Sequence, residues 1–418
     1  MAKFLFFPYS NQLGTTIPSV TLANLLRDHG HTVIYASHGK YTHVLKEKGF
    51  EVFPITEISY LQYRRHVDEN NVDFYQTSLI HHFIDKELDL IREVDPDIIV
   101  SNNRPTIKIS AQLAGKKLVT IVIPALTRFY YHDYFIPENH FLATLYPFGD
   151  VNQITPPAFR RFAFFMTMKQ WGKNFNKVLR EFNLPTMTDF LGVYEGDITL
   201  INQSFELAAF TNLPSNYFYL EQNLGSTFGH QHSWADELDV HRKKGRKVIF
   251  VSMGSSSLKS YPLVMQAIKQ LVDNNEHFVL VSNHVGLANH QEISDRIYLE
   301  PFINSSQILP KVDVVITHGG INTLSECMLQ GIPIIGVPEQ GEQMWNLKYA
   351  EHLGIGKMVS KFKLEKDPTL ISKAIVEIVD NPSYASNIEE FAKVRAKRKT
   401  GISQRELIYR EIEKLLAL

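Results

Sequence analysis

The chain has 418 residues, of which 44% are hydrophobic, 21% charged and 11% aromatic, a composition that excludes disordered, collagen-like and coiled-coil proteins. Lysine and arginine (43) balance aspartate and glutamate (44) to a net charge of −1, which argues against a nucleic-acid partner. The single cysteine excludes an internal disulfide, and no apolar stretch resembles a signal peptide or is long enough to span a bilayer. We therefore expect a cytoplasmic globular protein of two domains, without integral membrane association.

Short apolar runs alternate with helical periodicity along the first half of the chain. The run Lys3–Phe7 predicts a strand, and leucines at helical spacing predict a helix over Pro18–Asp28. Pro18 would occupy the first helical turn, with Thr15 or Thr16 as the cap. Because the same alternation returns further along, the sequence predicts a parallel sheet with helices on both faces.

A second alternating run begins at Lys247–Ser252, after a stretch rich in glycine, serine, histidine and glutamine. We therefore predict an α/β protein with two doubly wound, Rossmann-like parallel-sheet domains that face each other across a cleft. The predicted boundaries are an N-terminal domain over 1–222, a linker over 223–242 and a C-terminal domain over 243–395. A C-terminal helix within 396–418 is expected to return to the N-terminal domain.

The segment His318–Glu326 follows an apolar strand directly and opens a helix. Its two glycines let the backbone approach a ligand closely, and a helix N-terminus presents N–H groups to phosphate oxygens. His318, Asn322 and Thr323 add side-chain donors, and Glu326 lies one turn further on, where it can accept bonds from sugar hydroxyls. This combination suits a nucleoside diphosphate, whereas two glycines alone are more typical of a sharp turn with a capping asparagine.

The same segment continues without a gap to Gln343 in a pattern that resembles a known signature. It is similar to the donor-binding pattern HGGxNTxxExxxxGxPxxxxPxxxDQ of the family 1, UDP-dependent glycosyltransferases of the GT-B fold. Glu342 is the one departure, since the family usually has Asp there. The resemblance covers essentially the whole chain, is dense in motifs only in the C-terminal half, and is closest to bacterial macrolide and natural-product glycosyltransferases.

The resemblance implies roles for individual residues. Glu326 would hold the ribose, and Glu342 with Gln343 the hexose hydroxyls, while Phe302 would stack on uracil and the backbone of Ile303 would read the base edge. The donor-binding residues expected in this way are Gly14, Gly254, Ser255, Phe302, Ile303, His318, Gly319, Gly320, Asn322, Thr323, Glu326, Glu342 and Gln343. It also implies that no metal is needed and that the UDP-sugar is a co-substrate, with no further cofactor.

The catalytic base is where the chain departs from the family. An inverting transfer needs the acceptor hydroxyl deprotonated, and the family uses a His oriented by an Asp for this step. The alignment places Thr15 and Asn102 at those two positions, and neither side chain can act as a base near neutral pH. Three explanations stay open: His132 with Asp133 supplies the base, an acidic acceptor attacks unaided, or the protein binds a nucleotide sugar without transferring it.

We therefore expect an inverting, metal-independent hexosyltransferase that moves glucose from UDP to a small, largely apolar or aromatic acceptor. The acceptor class is indicated by the many aromatic residues between Ile55 and Phe190. A transferase that uses a dTDP-deoxysugar and a binding protein without activity are the alternatives, and an epimerase of the same architecture is a further one. The segment Asn11–Gly14 lacks the glycine-rich opening of the lipid-intermediate glycosyltransferases of cell-wall synthesis.

Overall fold

The computed structural model describes most of the chain, in ranges separated by short gaps. The described residues are 1–68, 74–130, 135–136, 140–146, 151–203, 210, 212–221, 232–254, 260–283, 291–300, 303–397 and 403–417. The chain forms two compact units, of which the first combines Met1–Gln222 with Gly401–Leu418 and the second is Asn223–Thr400.

A parallel sheet forms the centre of the first unit. Its seven described strands are β1 (Lys3–Pro8), β2 (Thr32–Ala36), β3 (Glu51–Phe53), β4 (Ile98–Asn102), β5 (Lys117–Val122), β6 (Ile198–Ile201) and β7 (Tyr217–Tyr219). They lie in the order β3-β2-β1-β4-β5-β6-β7, and every pairing is parallel. Successive side chains of β1 enter opposite cores, with Phe4 and Phe6 on one face and Leu5 and Phe7 on the other. Both faces of the strand are buried, which explains its unbroken apolar run.

Helices and short 3₁₀ turns connect these strands. The helices are α1 (Leu13–Asp28), α2 (Thr42–Glu47), α3 (Tyr60–Asp68), α4 (Thr77–Val94), α5 (Ile107–Leu113), α6 (Phe141–Thr144), α7 (Val151–Ile154), α8 (Pro157–Trp171) and α9 (Lys173–Glu181). Helix α1 begins five residues before Pro18, so the predicted start at Pro18 is wrong. The hydroxyls of Thr15 and Thr16 donate to the Gln12 carbonyl and cap nothing. Proline removes one donor but its fixed φ still fits a helix, so α1 extends on both sides of it.

The second unit is built on another, mostly parallel sheet. Its seven described strands are β8 (Lys247–Ser252), β9 (Phe278–Asn283), β10 (Gln291–Ser294), β11 (Ile297–Glu300), β12 (Val314–Thr317), β13 (Ile334–Gly336) and β14 (Gly356–Met358). The order is β10-β11-β9-β8-β12-β13-β14, and only the pair β10–β11 is antiparallel among these strands. The helices are α10 (Glu237–Lys243), α11 (Tyr261–Asn274), α12 (Ser305–Ile308), α13 (Ile321–Gln330), α14 (Gly341–His352), α15 (Lys361–Lys366), α16 (Thr369–Asp380) and α17 (Pro382–Lys397).

The segment before β8 belongs to the second unit, although the sequence analysis placed its residues up to 242 in a linker. Trp234 is buried, stacks on Tyr298 with ring centroids 5.1 Å apart, and donates from Nε1 to Glu300 at 2.7 Å. Leu238 of α10 is fully buried as well. Sparse apolar residues in a charged stretch gave too weak a pattern to reveal this packing.

The last helix, α18 (Gln404–Leu416), packs within the first unit. Ile408 and Ile412 are fully buried in the same core as β1, and Tyr409 stacks on His29 at 3.7 Å between ring centroids. In the part of the chain that the structure describes, none of the helices combines the length and the apolar character that crossing a bilayer requires.

Candidate functional site

The turn from β12 into α13 accepts only glycine at one position. Gly319 has φ +93°, and a Cβ placed there would lie 2.7 Å from the Leu347 side chain and 2.8 Å from the Gln343 carbonyl oxygen. A Cβ on Gly320 would lie 2.7 Å from Nε2 of His318. Backbone conformation and close packing both require glycine at position 319, whereas at position 320, where φ is −64°, only the nearby His318 ring favours it.

The N-terminus of α13 carries no neutralising group from the helix itself. Gly320 takes the N-cap position with an extended backbone, no side chain caps the helix, and the described first turn contains no acid. A ten-residue helix places a partial positive charge at this end, where backbone N–H groups can bind phosphate oxygens. The arrangement is suited to an anion.

His318 lies between two glycine backbones. Gly254, at φ +65° after β8, is so close that a Cβ there would lie 2.7 Å from Cε1 of His318. Strands β8 and β12 are neighbours, with Ser252 opposite Thr317, so their carboxyl ends bring Gly254 and His318 together. Ligands of open parallel sheets bind at this edge. Ser255, the next predicted contact, lies outside the described residues.

Glu326 is half-buried on α13, one turn beyond Asn322 and Thr323. Burial raises the pKa of its carboxyl to about 7, although a hydrogen bond from Ser305 acts in the opposite direction. A carboxyl removed from water in this way gains from a ligand that donates hydroxyl hydrogen bonds, because these stabilise its charged form. That is the chemistry expected of a ribose-binding residue.

Helix α14 holds the predicted hexose-contacting pair and connects it to the glycine turn. Asn346 donates from Nδ2 to the Gly319 carbonyl at 3.0 Å and to Oε1 of Glu342 at 2.6 Å. Burial raises the pKa of Glu342 to about 7, with the Asn346 hydrogen bond opposing it. Oε1 of the buried Gln343 accepts from the Glu339 N–H at 2.9 Å. The Nε2 group of this amide is then the one that can donate to a ligand.

Asn346 and Glu339 are contacts that the sequence analysis missed. The Glu339 carboxylate is held by a group distant in sequence, since its Oε1 accepts from the Ser260 N–H at 2.9 Å. The signal that could have revealed Asn346 is its i+4 spacing from Glu342, which places the two side chains on one helix face.

The backbone of Ile303, which is predicted to read the base edge, makes another contact within the fold. Its N–H donates to Oδ1 of Asn283, at the end of β9, at 2.8 Å, and the residue is buried. Only the Ile303 carbonyl is then left to meet a base edge, unless Asn283 moves. Phe302, the predicted stacking residue, lies outside the described residues.

The first unit brings together the two positions at which the family has its catalytic pair. Asn102 Nδ2 donates to the Thr15 backbone carbonyl at 2.6 Å, and both residues are buried. The Thr15 hydroxyl donates to the carbonyl of Tyr9 or, at 2.9 Å, to that of Gln12. Since its one proton is used inside the fold, this hydroxyl can accept a bond from an acceptor molecule but cannot deprotonate it. Gly14, beside Thr15, is exposed at the start of α1.

The alternative base, His132 with Asp133, lies outside the described residues. Glu57 is an acid of the first unit that contacts Ser10, five residues before Thr15. Its oxygens accept from the Ser10 N–H at 2.8 Å and hydroxyl at 2.5 Å, from the His38 N–H at 2.7 Å and from the Gly39 N–H at 3.1 Å. These four hydrogen bonds make Glu57 a residue that holds loops together.

Tyr9 is a further residue that the sequence analysis did not single out. Its N–H donates to the Asn102 carbonyl at 2.9 Å, and its own carbonyl accepts the Thr15 hydroxyl. The side chain is 6% exposed, its ring centroid lies 4.9 Å from that of Tyr63, and within the described residues its hydroxyl is buried without a hydrogen-bond partner. Burial raises the pKa of this phenol far above its ordinary value, so Tyr9 is a neutral donor. Its position directly after β1 is the signal that could have revealed it.

Comparison with known proteins adds to this geometry. Residues 235–400 match the family described as UDP-glucoronosyl and UDP-glucosyl transferase. A PGL/p-HBAD biosynthesis glycosyltransferase of Mycobacterium tuberculosis is 22% identical over 91% of this chain and 86% of its own. A PGL/p-HBAD biosynthesis rhamnosyltransferase of Mycobacterium bovis is 20% identical over 96% of this chain and 86% of its own.

Solved structures share the fold over the full length. Spinosyn rhamnosyltransferase SpnG, complexed with thymidine diphosphate, matches with a TM-score of 0.68 at 12% identity and covers 99% of this chain and 100% of that chain. Spinosyn forosaminyltransferase SpnP matches with a TM-score of 0.68 at 14% identity and covers 100% of both chains. At these identities the likeness establishes the fold.

Proposed function

With the GT-B fold and the resemblance to family 1 glycosyltransferases both confirmed, we propose that this chain, a glycosyltransferase, moves a hexose from UDP to a small apolar or aromatic acceptor. The transfer inverts the anomeric centre and uses no metal. The observation that carries the proposal is the turn at His318–Gly320, where the obligatory Gly319, the closely packed Gly320, a histidine ring and an uncapped helix N-terminus converge.

The donor half of the proposal assigns the leaving group to this turn. As the bond to the diphosphate breaks, negative charge develops on its oxygens, and His318 with the N-terminus of α13 would stabilise that charge. Glu326 would accept bonds from the ribose hydroxyls, and Glu342 with Gln343 would bind the hexose. This fixed set of donors is the reason why a metal is not required in the proposal.

The nucleotide itself has one competing candidate. A deoxyribose still offers its 3′-hydroxyl to Glu326, and the SpnG structure is a complex with thymidine diphosphate. A dTDP-deoxysugar donor is therefore the second candidate, and glucose is proposed on the strength of Glu342 and Gln343 alone.

The acceptor half follows from the buried state of Thr15 and Asn102. Since neither is a base and both are engaged inside the fold, we propose an acceptor acidic enough to attack unaided, such as a carboxylate or a low-pKa phenol. The Tyr9 hydroxyl is a donor for such an acceptor. A base supplied by His132 and Asp133 is the alternative.

Calorimetric titration of UDP, UDP-glucose and dTDP-glucose tests the donor site without knowledge of the acceptor. We expect micromolar binding of UDP, about −8 kcal/mol, weakened about tenfold or more by Glu326→Ala and unchanged by Asp380→Ala, an exposed carboxylate on α16. Tighter binding of dTDP-glucose would select the second candidate. Absence of binding to every one of these nucleotides would refute the donor site.

The acceptor class is tested by product analysis with UDP-glucose and paired acceptors, in which a carboxylic acid or acidic phenol is compared with its alcohol analogue. We expect glycosylation of the acidic member and a rate that does not fall at low pH until the acceptor is protonated. Equal turnover of the alcohol would show that a base exists and would direct attention to His132.

A further inference from the structure

Helix α8 presents an apolar stripe to solvent. Phe159, Phe162 and Met166 are 43%, 61% and 49% exposed, and their i, i+3, i+7 spacing places them on one face of the helix. Ile154, at the end of the preceding α7, is 57% exposed. Burying four large side chains of this kind would gain free energy, so their exposure on a folded helix calls for an explanation.

These residues form a cluster and are not scattered. Of the ten large hydrophobic residues that are exposed in the described part of the chain, five lie within residues 145–166. Single exposed apolar residues are normal on any protein surface, but a contiguous group marks an interaction site.

The same region carries one sign of charge. Residues 151–180 contain six lysines and arginines and neither aspartate nor glutamate, although the whole chain has a net charge of −1. Five of the six are exposed, namely Arg161, Lys169, Lys173, Lys177 and Arg180. Lys169 projects next to Phe162 on the helical wheel, and Arg161 lies further round on the same side, so cations border one edge of the apolar stripe. A partner for such a surface must offer negative charge next to apolar groups. An anionic lipid surface offers both.

The opposite side of α8 is fixed to the first unit. Trp171, at its end, packs edge to face on Phe190 with ring centroids 5.5 Å apart. The sixth cation, Arg160, is buried and donates to the carbonyls of Asn152 at 2.9 Å and Thr155 at 2.6 Å. The exposed stripe is thus the outer face of a helix held in place, with a basic residue turned inward to tie α7 to α8.

We propose that this face of α8 binds an anionic lipid surface, with the helix in the plane of the headgroups and the aromatic stripe inserted between them. A rigid helix with an apolar face, a basic edge and no acid is suited to interfacial membrane binding. Exposed lysines and arginines add attraction to anionic headgroups that salt screens. The proposal goes beyond the proposed function and does not depend on it.

Vesicle flotation of the full chain tests this proposal. The probes are vesicles of phosphatidylcholine alone and of phosphatidylcholine mixed with phosphatidylglycerol, at low and high salt. One variant combines Phe159→Gln, Phe162→Gln and Met166→Gln, and a second combines Arg161→Gln, Lys169→Gln and Lys173→Gln. The matched control combines Val240→Gln, Phe362→Gln and Val376→Gln, at similarly exposed positions of the second unit.

We expect the wild type to bind the anionic vesicles, and high salt to weaken that binding. Each of these two triple variants should lower the partition about tenfold or more, because the basic residues attract the anionic surface and the apolar side chains become buried in it. The control should bind as the wild type does, and unchanged denaturation midpoints would show that all variants fold.

Three results would overturn the proposal. The first is equal binding to neutral vesicles by all variants, and the second is an equal loss of binding in the control variant. The third is a wild type that does not bind vesicles and that light scattering shows to be a dimer, which the apolar triple variant dissociates. In the last case the stripe would be an interface between two copies of this chain.

Discussion

Glu326→Gln should make the second unit more resistant to unfolding at alkaline pH and leave it unchanged under acid conditions. Burial raises the pKa of this carboxyl from 4.5 to about 7, so between these values the folded protein holds a proton that the unfolded chain releases. The free energy of unfolding therefore falls as the pH rises through this window. Above pH 7 the charge of the buried carboxylate lowers it by the full amount. Glutamine mimics the protonated acid, and its amide oxygen can still accept the hydrogen bond from Ser305.

The size of the effect follows from the shift. The rise of the pKa from 4.5 to about 7, at 1.36 kcal/mol per pKa unit, corresponds to about 3 kcal/mol at most by which the glutamine variant is more stable at high pH. This advantage disappears towards about pH 4. Denaturant titrations at about pH 4 and about pH 8 measure it, because the fluorescence of Trp234 and Trp345 reports on the second unit.

Glu377→Gln is the control with the opposite sign. The hydrogen bond from Lys357 lowers the pKa of Glu377, so its charge stabilises the fold at neutral pH, and the glutamine variant should lose a little stability there. An advantage of Glu326→Gln that is the same at both pH values would refute the assignment of the raised pKa to burial. The same substitution should weaken UDP binding, because an amide accepts hydroxyl hydrogen bonds less well than a carboxylate.

Four further substitutions test the backbone and the buried polar groups. Asn102→Asp would place a carboxylate against the Thr15 carbonyl, now 2.6 Å from Nδ2, and should cost about 2 to 4 kcal/mol in denaturant titrations at neutral pH, less at acid pH where the protonated acid can donate. Gly319→Ala should lower stability and abolish UDP binding, whereas Gly331→Ala, at φ +71° with nothing within 4 Å of a new Cβ, should cost only the about 1 kcal/mol of the left-handed conformation. Tyr9→Phe removes a buried hydroxyl without a partner, so the unfolding free energy should stay equal or rise by about 1 kcal/mol while KM for the acceptor rises in steady-state assays.

Local chemistry explains which parts of the site could be predicted. The pattern from His318 to Glu326 joins a strand, two glycines and a helix start, and each of these is fixed by neighbours in the chain. The sequence therefore predicted a glycine turn that leads into a helix N-terminus, and the structure shows Gly319 at φ +93°. The start of α1 was missed because Pro18 was interpreted as a first-turn residue, whereas core packing around it extends the helix.

Contacts between distant segments explain what could not be predicted. The bond from Asn346 to the Gly319 carbonyl spans 27 residues, that from the Ile303 N–H to Asn283 spans 20, and that from Asn102 to the Thr15 carbonyl spans 87. Asparagine carries no periodic signal, and its partner is decided only when the strands and helices have packed.

By itself the sequence determined two parallel-sheet units, the strands that begin at Lys3 and Lys247 and the resemblance from His318 to Gln343, because apolar periodicity and glycine geometry act over a few residues. Only the tertiary structure decided that the Thr15 hydroxyl donates into the fold, that the Tyr9 hydroxyl is left buried without a partner among the described residues, and that α8 exposes an aromatic stripe. Burial depends on what the remaining chain brings to a surface, and a hydrogen bond depends on the distance between two atoms. Both are properties of the folded chain as a whole.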